Sequence, residues 1–142
     1  MEINYFFEEI NEFDIQQEEK TEWIKGCIDG YEKKAGDLNF IFCTDLYLLK
    51  INKEYLNHDY FTDIITFNYC DEDIISGDIF ISVDRVEENA KEYDVSFSME
   101  LNRVIIHGVL HLIGLNDHTE GEKIEMREAE NACLNRIISE NI

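Results

Sequence analysis

Ser98-Met-Glu-Leu-Asn-Arg-Val-Ile-Ile-His107-Gly-Val-Leu-His111-Leu-Ile-Gly114 is the stretch on which the reading of this chain turns. Leu101, Val104, Ile105, Ile106, Val109, Leu110 and Leu112 make it apolar nearly all round. That pattern predicts a buried helix over about Met99 to Ile113, with Ser98 as its cap. His107 and His111 are four apart, so they project from one face, one turn above the other. Imidazoles on a buried helix must be satisfied, and a metal ion does that. The spacing is the one with which a helix offers two ring nitrogens to a single ion. Gly114 ends the helix. Asp117-His118 follows just beyond, where a third ligand can close the site. The competing reading is two histidines packed into a core. Gly108 costs about 1 kcal/mol relative to Ala inside a helix, which points to the close approach of a strand or ligand, or to a simple packing contact.

Outward from this helix, the apolar periodicity alternates between strand and helix. Ile3 to Phe7 reads as a short strand. Glu18 to Lys34 reads as a helix, since Trp23, Ile24, Cys27, Ile28 and Tyr31 recur at helical spacing before Gly36-Asp37 breaks it. Leu38 to Thr44 reads as a strand, and Asp45 to Leu56 as a helix capped by Thr44. Asp63 to Tyr69 and Asp78 to Val83 read as a hairpin around Asp71-Glu72-Asp73 and Ser76-Gly77. Val86 to Tyr93 and Glu120 to Ile138 complete the helices. The expected fold is α+β: one domain over 1–142, with a small mixed sheet of about four strands packed against about five helices.

A chain of 142 residues can bury a core. Its 44% hydrophobic content, with nine Phe, seven Tyr and one Trp, excludes disorder. The longest apolar run, Val104 to Leu115, is interrupted by both histidines, so no membrane span is expected. Met1-Glu2-Ile3-Asn4-Tyr5 has no basic, signal-like start, so a cytoplasmic protein is expected. Cys27, Cys43, Cys70 and Cys133 form no CxxC pair and read as reduced, partly buried thiols. The formal charge of −20 opposes nonspecific binding of polyanions and suits a basic protein partner.

Two neutral histidines and one more N or O donor hold Zn²⁺ with a fourth position open. Such an ion activates water and polarises a phosphoryl or carbonyl oxygen, which is hydrolytic chemistry. Zinc peptidases of the HExxH type place a Glu directly after the first His; here that position is Gly108. Phosphodiester cleavage depends less on that base, because charge stabilisation carries more of the work.

The chain resembles the YbeY family of bacterial rRNA-maturation endoribonucleases. The main match is His107-Gly-Val-Leu-His111-Leu-Ile-Gly114. Ile51-Asn-Lys-Glu-Tyr55, Thr62-Asp-Ile-Ile-Thr-Phe67, Gly77-Asp-Ile-Phe-Ile-Ser82 and the placing of Met126 support it. The resemblance implies an α+β, metal-dependent hydrolase acting on single-stranded RNA. Its implied role is to mature the 3′ end of small-subunit rRNA, with the ribosome or its small subunit, basic ribosomal proteins and assembly factors as partners.

The chain departs from the family at two places. The family's third histidine falls at Asp117, with His118 one residue on. Spacing to Met126 favours Asp117, while ligand type favours His118; an Asp oxygen also admits Mn²⁺ or Fe²⁺ beside Zn²⁺. Whichever is unused can serve as a neighbouring proton carrier. At Leu56 the family carries an Arg. His58, Lys53 or Arg103 can replace its cation, or each is a solvated surface residue. Asp78, in a family motif, either orients a water or histidine ring at the metal or caps a turn. Thr62-Asp63 reads as a turn into its strand, and Lys33-Lys34 and Lys50/Lys53 as helix-surface charge in preference to a small basic patch. Two other functions stay open: a ribosome-assembly factor with a structural metal, and a metal hydrolase of another substrate.

Overall fold

Residues 2–140 are described by a computed structural model. Met1, Asn141 and Ile142, which the single-domain reading of 1–142 includes, lie outside the described residues. The elements run β1 (Ile3–Glu8), α1 (Gln17–Asp29), β2 (Lys34–Cys43), α2 (Asp45–Leu56), β3 (Ile64–Asn68), β4 (Ile74–Ser82), α3 (Val83–Glu92), α4 (Phe97–Ile113) and α5 (Glu120–Glu140). Among the described residues, four strands and five helices make the expected α+β fold.

The sheet order is β1-β2-β4-β3. β1, β2 and β4 are parallel, and β3 returns antiparallel beside β4 as the expected hairpin. Side chains alternate across a strand, so register sorts them between two faces. Tyr5, Phe40 and Ile79 share one face, as do Phe7, Phe42 and Ile81. This face meets α1, α4 and α5 in the main core, with Trp23, Ile24, Ile105, Val109 and Met126. Ile41, Phe80 and Ile65 share the other face, where α2 contributes Leu48 to a smaller cluster.

Several element ends differ from expectation. β2 and β4 start early, at Lys34 and Ile74 and not at Leu38 and Asp78, so Ser76-Gly77 lies inside β4 and not in the turn. α1 stops at Asp29, short of Lys34, because Gly30 receives the last turn and Glu32 takes a left-handed φ of 60°. Lys34 then begins β2, its N–H bonding Asp73. α4 starts two residues early: the Ser96 hydroxyl, not that of Ser98, accepts the Met99 N–H. α3 begins at Val83 because Ser82 closes β4 and caps the helix together. Thr44 caps α2 as expected, accepting from Tyr47.

Gly108 is where α4 touches the sheet. A Cβ there would lie 2.8 Å from Ile64 Cδ1 and 3.0 Å from Ile79 Cγ2. Packing against two isoleucine side chains of β3 and β4, then, accounts for this glycine. The contact seats α4 against β3 and β4 and leaves His107 and His111 only half-buried.

Candidate metal centre

α4 sets the rings of His107 and His111 edge to face, with centroids 4.5 Å apart. Each ring has one nitrogen already engaged. His111 Nδ1 lies 3.0 Å from the Leu115 carbonyl oxygen, which only accepts, so this nitrogen carries the hydrogen. His107 Nδ1 lies 2.7 Å from Glu130 Oε2. In the neutral rings both Nε2 lone pairs are therefore left for a ligand.

Both Nε2 atoms converge on Asp117. Its Oδ2 is 3.4 Å from His107 Nε2 and 3.5 Å from His111 Nε2. The three donor atoms lie within 4.8 Å of one another. Bonds of about 2.0–2.1 Å at tetrahedral angles separate donor atoms by about 3.3–3.4 Å, so the side chains stand near the spacing an ion requires. Two imidazoles and one carboxylate fit a divalent ion and leave one tetrahedral position open.

Asp117 reaches the histidines through two local devices. Gly114 takes φ 125°, and its N–H bonds the carbonyls of Leu110 and His111, which turns the chain sharply off α4. Thr119 and Glu122 then exchange hydrogen bonds, Thr119 N–H to Glu122 and Glu122 N–H to the Thr119 hydroxyl. This capping box starts α5 and fixes the residues before it. In that arrangement Asp117 is half-buried against the rings, and His118 is exposed outside the donor group.

Glu130 is buried beneath His107. Burial alone would raise its pKa, but hydrogen bonds from His107 and Arg103 outweigh that and hold the carboxyl below its ordinary range. Arg103 Nη1 donates to Glu130 at 2.8 Å, and its Nη2 to Asn131 at 2.9 Å. Burial likewise opposes charge on His107, yet its bond to Glu130 and the nearby Glu130, Asp117 and Asp63 carboxylates leave its pKa raised overall. Beside His107 opens a cavity of about 170 Å³ that Asp63, Glu100, Arg103, Arg127 and Glu130 help to line. Burial raises Asp63 and Glu100 above their ordinary carboxylate values.

Of the other expected site residues, Asp78, His58 and Lys53 are not brought to this centre. Asp78 pairs in register with Asn39 and Phe67, on the sheet face away from α4, and accepts from the Asn39 amide at 3.0 Å. It lines a separate groove with Tyr47, Tyr55 and Phe80. His58 is exposed, stacked on Tyr60 with centroids 5.2 Å apart. Lys53 pairs with Asp59 at 3.3 Å. Arg103 does reach the centre, as a clamp on Glu130. Glu130 escapes the sequence reading, and Asp63 enters it only as part of the turn into β3. The signal for Glu130 was a carboxylate at helical spacing among Met126, Cys133 and Ile137, all of them buried.

A sequence model of the family described as Endoribonuclease YbeY matches residues 5–138. The chain is 48% identical over 134 residues to Endoribonuclease YbeY of Bacteroides thetaiotaomicron, covering 94% of this chain and 98% of that one. It is 50% identical over 129 residues to Endoribonuclease YbeY of Flavobacterium johnsoniae, covering 90% and 91%. The solution structure of TM1509 from Thermotoga maritima is similar in fold, with a TM-score of 0.70 and 27% identity over 98% of this chain and 91% of that one.

Proposed function

The chain belongs to the YbeY family of endoribonucleases, and on that premise we propose that it is a metal-dependent, single-strand-specific endoribonuclease that matures the 3′ end of small-subunit rRNA. The observation that carries the reading is the convergence of His107 Nε2, His111 Nε2 and an Asp117 oxygen at ligand spacing. The ion we propose is Zn²⁺, with Mn²⁺ or Fe²⁺ also served by the carboxylate donor. Its chemistry when bound is to polarise a phosphoryl oxygen and activate water.

The protein's own groups do the rest. Glu130 and the Leu115 carbonyl hold the rings in the tautomer that presents Nε2. Arg103 keeps Glu130 ionised and aimed. Asp63, half-buried in the cavity beside His107, stands where a carboxyl can hold a proton during cleavage. With a formal charge of −20, the chain does not attract naked RNA by net charge. We therefore place its substrate on the small subunit, presented with basic ribosomal proteins or assembly factors, in the cytoplasm. No helix of the described residues is long and apolar enough to cross a membrane.

The test is cleavage of a single-stranded precursor of the small-subunit rRNA 3′ end by zinc-loaded protein, beside His111→Ala. Cutting by the first and none by the second is expected. The charge and Leu56 favour one other reading, an assembly factor whose ion is structural. Its signature is one ion per chain, recovery of ribosomal proteins and no cutting above the His111→Ala background.

A further inference from the structure

We propose that Arg127 forms a phosphodiester-binding subsite beside the metal centre, supplying the cation that Leu56 does not. The inference rests on the nuclease reading above and identifies how the substrate strand is gripped. A phosphodiester needs a cation near the donor atoms that is free to move to it. Leu56 is apolar. His58 is stacked on Tyr60, and Lys53 is paired with Asp59, neither of them lining the cavity beside His107. Two guanidinium groups do line it. Arg103 is locked by short bonds to Glu130 and Asn131. Arg127 is not: its side chain is 63% exposed, and its Nη1 lies 3.9 Å from Glu130 Oε1. It sits at the mouth of a cavity whose wall includes His107, so the guanidinium and the donor atoms occupy one stretch of surface.

The cavity also holds Asp63, Glu100 and Glu130, which have to be reconciled with an anion. The charge of Glu130 is matched by Arg103 and His107. Burial raises the Asp63 and Glu100 carboxyls above their ordinary values, which opposes negative charge on that wall. A divalent ion at the three donors adds positive charge to the same surface. A guanidinium grips a phosphodiester with two parallel N–H donors, which a lysine ammonium does not reproduce.

The experiment compares zinc-loaded wild type, Arg127→Ala and Arg127→Lys. Anisotropy of a labelled single-stranded octauridine RNA is read across salt concentrations before turnover, beside KM and kcat for its cleavage and the zinc content of each protein. Arg127→Ala is expected to weaken binding and raise KM about tenfold. It should flatten the dependence of log affinity on log salt by about 0.7, with zinc content unchanged and kcat little altered. Arg127→Lys should restore the slope and only part of the affinity. Wild-type KM and slope in Arg127→Ala would overturn the subsite, even with the nuclease reading intact. Wild-type protein that binds but does not cut would overturn the nuclease reading, while a slope lost in Arg127→Ala would still support the subsite.

Discussion

Each side of the sheet has a run of hydrogen-bonded polar residues, and the two are arranged to opposite ends. On the α4 face, His107, Glu130 and Arg103 form a continuous chain of short bonds, and each ring nitrogen not facing Asp117 has an acceptor. On the α2 face, Asp78 joins Asn39, and Asn39 accepts from Asn4, in a ladder across three strands that faces no imidazole. Tyr55 and Tyr69 stand 66% and 62% exposed beside it. Polar groups become a site where each fixes the next and the last atoms converge. On the α2 face they stitch strands together.

Glu130→Gln is the largest break expected short of the ligands themselves. It keeps the shape and removes the charge that orients His107, so metal affinity should fall about 10- to 100-fold in a chelator competition. An unchanged affinity would reduce the α4-face chain to packing. The same chain has a pH signature. The metal-free fold raises His107 above its ordinary 6.5, so it favours the protonated ring. That stabilisation is fully present below 6.5 and is lost as pH rises through the folded value. Zinc requires the deprotonated ring, so its stabilisation runs the other way. The rise in Tm on adding zinc should be greater near pH 8 than near pH 6.

Gly114→Ala tests the turn. Nothing lies within 4 Å of the added methyl, so the cost is purely that of φ 125°. About 1–2 kcal/mol of stability should be lost, with a modest fall in metal affinity as Asp117 shifts; urea melts and metal competition read both. Asp78→Ala should do least. It removes one bond to Asn39 and should leave metal content and cleavage as in the wild type. A loss of metal in Asp78→Ala would collapse the contrast between the faces.

Local signals carried most of the architecture. The Thr44 cap and the apolar girth of α4 depend on neighbours in sequence and lie where expected; the β3–β4 hairpin forms too, with its turn at Asp71-Glu72-Asp73 and with Ser76-Gly77 inside β4. Tyr31 continued the helical spacing of α1 although the helix had ended at Asp29, because periodicity does not register where a strand partner takes over. Ser96 and Ser98 flank Phe97 with similar claims to the cap, and only the hydrogen bond separates them. His107 and His111 were legible because helix geometry fixes them against each other. Asp78 was open between a role at the metal and a turn cap; it lies inside β4, so it caps no turn, and strand alternation puts it on the opposite face from Ile79. The φ of Gly114 and the Thr119–Glu122 box are what set Asp117, and not His118, beside the two rings. The box is visible as Thr-x-x-Glu before the final helix, and it holds the step into α5 that leaves His118 outward.

The most direct measurement is metal content by plasma mass spectrometry of tag-free wild type, Asp117→Ala and His118→Ala. About one divalent ion per chain in the wild type and in His118→Ala, with loss in Asp117→Ala, is the predicted result. Retention in Asp117→Ala with loss in His118→Ala would contradict the convergence at Asp117, and with it the account of the site.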